Sequence, residues 1–369
     1  MKIGVNFLSF RSYQGTETFA QHTMARLLLL SKDTGYVIFT TPYLPEEMNS
    51  SIAGAQIIYT YLHPEHNLAM GLYQQLILPV ILMKNRINIF YSPLPSIPIF
   101  FPGTKIITIH DCAYDRFPEF RSRLSKLYLK LMYYTGKYIC DVIITVSQFS
   151  KNELINLYNI KPEKIRVIYP GVPAMPDIDQ EFIKQTKALF NLYTPYFIYI
   201  GNTRPRKNLE GLLKAFNILT KNYKDIKLVL AGKIDESFVN IKGLINTLGL
   251  TDRIIRTDFV SEKQKVALYK GSSGLVFPSF YEGFGLPVLE AQSLGVPVLT
   301  SSTSSLPEIS GNGAIFVDPY NIEDIANGME RLLNTSVRKE LIELGYENTK
   351  RFSWENTAKE LLRVFKELQ

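Results

Sequence analysis

The segment from Gly274 to Ala291 constrains the fold most tightly. The apolar run Gly274-Leu275-Val276-Phe277 stops at Pro278. A turn carrying Gly283 and Gly285 follows, and Leu286-Pro287-Val288-Leu289-Glu290-Ala291 then opens a helical pattern. An uninterrupted apolar run of this length reads as a strand buried on both faces, and Pro287 suits a first helical turn, where its missing N–H would have had no partner. A buried strand returning as a helix through a glycine turn is the repeating half of a parallel α/β sheet. The start of such a helix offers backbone N–H groups and the positive end of its dipole, an environment that favours an anion.

The same alternation runs from end to end. In the first half, strands are expected at Lys2–Phe7, Tyr36–Thr40, Gln56–Tyr59, Ile89–Tyr91, Lys105–Ile109, Val142–Val146 and Lys164–Ile168. Helical patterns intervene at Glu17–Leu30, Asn67–Lys84 and Ser122–Tyr138. Pro170-Gly171-Val172-Pro173-Ala174-Met175-Pro176 reads as a linker. Beyond it, strands are expected at Tyr196–Ile200, Lys227–Ala231, Arg253–Arg256, Gly274–Phe277, Val298–Ser301 and Ala314–Val317, with a final helix from Trp354 to Leu368. A chain of 369 residues exceeds one ordinary core. The expectation is therefore two doubly wound α/β domains, 1–172 and 177–353, with ligands at the carboxyl ends of the strands.

Bulk properties narrow the class. The chain is 46% hydrophobic and 20% charged, which is globular composition. Two cysteines, Cys112 and Cys140, exclude a disulfide framework and fit a reducing, cytoplasmic compartment. The most apolar stretch, 87–109, is broken by Pro93, Pro95, Pro98 and Pro102, which argues against a membrane span. Of the net charge of +7, residues 1–172 hold +6, from 17 Lys and Arg against 11 Asp and Glu. An anionic partner for that half is implied, and the absence of a nucleic-acid-binding module argues against DNA or RNA.

Two glutamates, Glu282 in the turn and Glu290 in the helix, flank the anion-favouring helix start. Carboxylates cannot hold an anion, so they would accept hydrogen bonds from neutral hydroxyls beside it; a nucleotide sugar supplies both kinds of group. The string Pro278-Ser279-Phe280-Tyr281-Glu282-Gly283-Phe284-Gly285-Leu286-Pro287-Val288-Leu289-Glu290 resembles the Glu-x7-Glu motif of retaining glycosyltransferases of family four, which have the GT-B fold. The resemblance extends to Tyr199-Ile200-Gly201-Asn202-Thr203-Arg204-Pro205-Arg206-Lys207-Asn208, a strand running into a basic loop, and to Ile107-Thr108-Ile109-His110-Asp111. Fixed cations beside a departing nucleoside diphosphate stabilise charge that grows in the transition state.

The resemblance implies a role for each matched residue. Arg206 and Lys207 would lie on the diphosphate, with Arg204 the competing arginine, since Asn202 departs from the usual order after Gly201. Glu282 would hold sugar hydroxyls and Glu290 the ribose. Gly283, Phe284, Gly285 and Leu286 would line the donor site, with Val260 near the base. His110 would reach the sugar from the first domain, and Gly15 and Thr16 would form an acceptor or phosphate loop after the first strand. Asp111 reads as a cap. Ser301 to Pro307 with Glu308 reads as support for the helix. The terminal helix would cross back to the first domain.

The family further implies retention of anomeric configuration and two GT-B domains facing across a cleft. The hexose is expected to be mannose from GDP-mannose, with UDP-sugars the alternative, moving to a glycan or lipid-linked acceptor of surface polysaccharide synthesis. No metal or cofactor is expected: Asp177-Ile178-Asp179 lies in the linker, before no glycine-rich turn. Within 121–141, Arg123, Lys126, Lys130 and Lys137 share a helical face beside Leu124, Leu127, Leu131, Tyr134 and Tyr138. That pattern suits either an anionic membrane surface, with the enzyme peripheral on its inner face, or an ordinary helix with its leucines in the core. A nucleotide-sugar epimerase and a non-catalytic polysaccharide-binding protein are rival classes; the first needs proton-transfer groups that are not evident, the second predicts lost motif residues.

Overall fold

A computed structural model describes residues 1–8, 10, 15–44, 49–50, 52–63, 67–117, 123–236 and 240–369. The chain divides into two compact units, Met1–Gly171 with Phe352–Gln369, and Val172–Arg351.

In the first unit seven parallel strands form one sheet: β1 Lys2–Asn6, β2 Gly35–Thr40, β3 Gln56–Tyr59, β4 Ile89–Ser92, β5 Thr104–Thr108, β6 Val142–Thr145 and β7 Ile165–Val167, in the order β3-β2-β1-β4-β5-β6-β7. Alternation assigns their side chains to two faces. Ile3, Val5, Ile38, Tyr91, Ile106 and Ile144 pack with the Gly15–Leu30 helix and with Ala358, Leu361 and Phe365 of the terminal helix Trp354–Glu367. The opposite face carries Phe90, paired across to Lys105, and Ile107, paired to Ile143. It is covered by the helical run Asn67–Leu72, Tyr73–Ile77 (a π turn) and Leu78–Lys84, and by the helices Arg123–Ile139 and Gln148–Tyr158.

The second unit holds β8 Tyr196–Ile200, β9 Lys227–Ala231, β10 Ile254–Asp258, β11 Gly274–Phe277, β12 Val298–Ser301 and β13 Ala314–Val317, all parallel, in the order β10-β9-β8-β11-β12-β13. β8 and β11 carry no charged residue and no serine or threonine because helices cover both sides of the sheet. The order reverses between β8 and β11, which pair through Gly274 with Phe197 and Leu275 with Ile198. Loops leaving two such strands diverge to opposite faces and open a crevice at their carboxyl ends.

Every expected strand is present, with ends shifted by two residues or fewer. The first helix begins at Gly15, earlier than the Glu17 expected, and residues 11–14 of the preceding loop lie outside the described residues. Asp179 caps the Gln180–Leu189 helix by accepting from the Phe182 N–H at 2.7 Å. That is a local structural role for one aspartate of the Asp-Ile-Asp sequence.

Candidate active site

The switch point between β8 and β11 gathers the basic loop and the glutamate turn. After β8, Pro205–Lys207 makes one 3-10 turn and Asn208 takes a left-handed conformation, φ 54°. Asparagine tolerates that geometry, and its side chain is used three times over. Its Oδ1 accepts from the Gly211 N–H, capping the Leu209–Leu219 helix, while Nδ2 donates to the Pro278 and Pro319 carbonyls. The Phe280 N–H donates to the Arg206 carbonyl at 2.8 Å, stitching the two loops together.

Glu282 lies between the two cations. Lys207 Nζ donates to Oε1 at 2.6 Å, and Arg206 Nη1 donates to Oε2 at 2.8 Å and to the Tyr281 carbonyl at 2.9 Å. Glu282 is 5% and Lys207 8% exposed. Lys207 Nζ also stands 4.8 Å from the centroid of the Phe277 ring, whose other aromatic neighbour is Tyr199. Burial alone would raise the Glu282 pKa; the adjoining Arg206 and Lys207 charges and their hydrogen bonds outweigh it and hold the carboxyl down at about 2. Glu282 is therefore ionised across the physiological range, and the trio carries a net +1.

Gly285 precedes the Leu286–Ser293 helix with φ 114°, and a Cβ there would stand 2.9 Å from Leu306. Only glycine meets both conditions without strain. Glu290, in the same helix, is 8% exposed. It accepts from Tyr269 Oη at 3.0 Å and from Lys265 Nζ at 3.3 Å, both side chains belonging to the Glu262–Lys270 helix. Lys265 and Tyr269 were not singled out from the sequence. Their spacing of four on one helix was the available signal, but it does not reveal which carboxylate they meet.

The hydroxyl run after β12, Ser301 to Glu308, was expected to support the helix. Ser305 makes no side-chain cap for the Leu306–Ser310 helix that follows it. Its Oγ donates instead to the carbonyls of Glu282 and Phe284, both at 2.9 Å. Ser304 Oγ accepts from the Glu282 N–H at 3.2 Å, Ser301 donates to the Ser279 carbonyl and Thr303 to the Phe280 carbonyl. These residues clamp the backbone that carries Glu282.

The remaining expected residues are distributed as follows. Gly201 sits at the end of β8, its N–H bonded to the Ala231 carbonyl, and the Arg204 N–H donates to Asn202 Oδ1 at 3.3 Å. Gly283 and Phe284 are buried within the glutamate turn. Val260 follows β10 and packs against the apolar core of the second unit. In the first unit, half-buried His110 follows β5, with Nε2 3.0 Å from the Pro93 carbonyl. Burial holds its pKa below the ordinary histidine value against the opposing pull of Pro93 and Asp111. Asp111 Oδ1 accepts from the Ala113 N–H at 3.0 Å, the local capping role expected of it. Gly15 opens its helix exposed, and Thr16 donates to Glu17 at 2.6 Å. On the Arg123–Ile139 helix, Leu127, Leu131, Tyr134 and Tyr138 are exposed, so the leucines at 127 and 131 are not core. Arg121 and Ser122, and the side chains of Arg123, Leu124 and Lys126, lie outside the described residues. Among the described residues no group of three or more His, Cys, Asp or Glu converges as a metal site would require.

Chemically, the switch point offers two fixed cations and a helix start to a phosphate-bearing group, with carboxylates beside them able to accept from hydroxyls.

Comparison with known proteins places this geometry in a wider set. The family model described as Glycosyl transferases group 1 matches residues 180–351, and that described as Glycosyltransferase Family 4 matches residues 22–174. The chain is 31% identical over 266 residues to the O-antigen chain mannosyltransferase B of Escherichia coli, a match spanning 71% of this chain and 70% of that protein. It is 32% identical over 225 residues to the serotype-specific mannosyltransferase WbdA of Escherichia coli, a match spanning 59% of this chain but only 28% of that longer protein. Among solved structures, Anabaena HepE, determined in complex with UDP-glucose, superposes with a TM-score of 0.79 over 100% of both chains at 16% identity, which speaks to the fold alone.

Proposed function

The chain belongs to the group 1 glycosyltransferases of family 4, with the GT-B fold and hexosyltransferase activity of that group, and we propose from this that it is a retaining mannosyltransferase using GDP-mannose. The acceptor is a hydroxyl of a glycan or lipid-linked glycan in surface polysaccharide synthesis. The observation that carries the reading is the trio Arg206–Glu282–Lys207 at the switch point, where a half-buried and a buried cation would meet a diphosphate.

In the proposed reaction the acceptor oxygen attacks the anomeric carbon of mannose on the face from which the phosphate leaves. The bond between that carbon and the β-phosphate oxygen breaks. The departing oxygen takes the acceptor proton, so no side-chain nucleophile is needed. Negative charge grows on the diphosphate as the bond breaks, and Arg206 and Lys207 stabilise it more than they stabilise bound donor. Glu282 accepts from mannose hydroxyls and Glu290 from the ribose. Ser304 and Ser305 keep the Glu282 backbone in place. With two cations on the diphosphate, the reaction proceeds without a metal ion.

The test is calorimetric titration of the full chain with GDP-mannose, GDP, UDP-glucose and UDP in the presence of EDTA, followed by NMR assignment of the anomeric configuration in the product. GDP-mannose should bind without metal, and Lys207→Met should weaken that binding. A preference for UDP-glucose would replace the donor assignment. Binding of neither nucleotide, or binding indifferent to Lys207→Met, would overturn the site.

A further inference from the structure

The two outer layers of the first unit differ in chemistry. The terminal helix on one layer carries Glu355, Glu360 and Glu367 interleaved with Lys359, Arg363 and Lys366, a surface built for water. The opposite layer contains no acidic residue from Asn67 to His110 and none from Phe120 to Cys140. Two of its helical elements, the Asn67–Lys84 run and the Arg123–Ile139 helix, present apolar side chains outward. On the first, Leu72, Leu76, Val80 and Met83 are spaced four, four and three apart, which is one stripe, and all are exposed, Leu76 to 60%. On the second, Leu127, Leu131, Tyr134 and Tyr138 are spaced four, three and four apart, again one stripe, with Leu127 66% and Tyr138 72% exposed.

Both stripes turn away from the same sheet face. Leu78 and Leu82 of the first element pack among Phe90 and Phe39, and Tyr133 of the second packs among Ile107 and Ile143. Phe90, Ile107 and Ile143 share that face by register. The inner sides of the two elements are thus spent on one core, and their outer sides face the same direction. Exposed cations flank the stripes: Lys84 and Arg86 at the end of the first, and Lys130 beside the second, with half-buried Lys137 two turns further on; exposed Asp141, just past the second helix, accepts from the Lys105 N–H.

We propose that this face docks on an anionic lipid bilayer, with both helical elements lying in the interface and their apolar stripes inserted among the acyl chains. Adjacent leucine and tyrosine side chains supply apolar area, and the cations supply attraction to anionic headgroups. A second copy of the chain is the less suitable occupant, because two such faces would set the cations of these two helical elements against one another, and neither element carries an acidic residue to offset them. The proposal is independent of the donor site, and the vesicle partition that tests it is read without nucleotide.

The experiment is cosedimentation of the full chain with vesicles of phosphatidylglycerol and phosphatidylethanolamine, compared with vesicles of phosphatidylcholine alone. The protein should partition onto the anionic vesicles, and added salt should weaken the partition. Two double variants separate the helices: Leu76→Glu with Val80→Glu, and Leu127→Glu with Leu131→Glu. Each should lower the anionic-vesicle partition coefficient by at least about tenfold. Circular dichroism and GDP-mannose titration should show both variants folded and still able to bind donor. The proposal fails if the wild type ignores anionic vesicles, or if the 76/80 pair leaves partition unchanged. It fails also if the wild type is a dimer in solution that either pair of substitutions dissociates.

Discussion

Replacing Glu282 with Gln removes a charge that offsets both Arg206 and Lys207 while keeping the side chain's size. In the wild-type fold the carboxyl is held at about 2 against an ordinary value of 4.5. That difference, at about 1.4 kcal/mol per unit, is worth roughly 3 kcal/mol of stability. Breaking a buried ion pair from one side costs about 3–5 kcal/mol by mutational precedent, which agrees in size. For a unit of this length, about 2–4 °C is lost per kcal/mol, so the melting temperature of the second unit should fall by roughly 6–12 °C at neutral pH. Because folding depresses the carboxyl's pKa, its contribution is complete above about 4.5 and is lost as pH falls toward about 2. Differential scanning calorimetry of the full chain from pH 7 to pH 3 should therefore show wild type and variant converging as acid protonates Glu282. The same variant leaves Arg206 and Lys207 without the Glu282 charge, so it should bind inorganic diphosphate more tightly than wild type even as mannosyl transfer collapses. A stability difference that is negligible at neutral pH, or that does not shrink in acid, would refute the counter-ion argument. Unchanged turnover with GDP-mannose would remove Glu282 from the mechanism.

Lys207→Met should lower kcat by about 10²–10³ with a smaller change in KM, as expected for loss of one fixed stabiliser of transition-state charge; steady-state kinetics with GDP-mannose measure it. Asn208→Ala should cost about 2–3 kcal/mol in guanidinium unfolding, from the lost cap and the left-handed backbone together, whereas Asn208→Gly keeps the backbone at ease and should cost less. Ser305→Ala removes the hydroxyl shared by the Glu282 and Phe284 carbonyls, so it should destabilise by about 1–2 kcal/mol and depress kcat. Wild-type activity should survive dialysis against EDTA, and a strict requirement for added divalent cation would contradict the metal-free reaction.

The central strands were legible because parallel strands covered on both faces are written as apolar runs, Tyr196–Ile200 and Gly274–Phe277 most clearly, and such runs need no knowledge of neighbours; an edge strand such as Ile254–Asp258, which carries Arg256 and Asp258, was legible from its place in the alternation. The glutamate turn was equally legible: Gly285 and Pro287 announce a backbone requirement that local chemistry alone imposes. The helix at Arg123–Ile139 was legible as a helix but not in its orientation. Two amphipathic arrangements fit the same period, and only packing shows Met132 and Tyr133 inward with Leu127 and Leu131 outward.

What the sequence by itself determined was the class of fold, the two-unit division of labour between a basic first half and a motif-bearing second half, and the identity of the residues with chemistry to offer. Which of those residues meet was decided by tertiary structure. Lys207 and Glu282 lie 75 positions apart and touch because β8 and β11 are neighbours in the sheet although two strands separate them along the chain. Likewise, the serines after β12 reach the Glu282 backbone because β12 lies beside β11. Periodicity records how a segment faces its surroundings; strand order records which surroundings it receives, and that order comes from the cooperative packing of the whole unit.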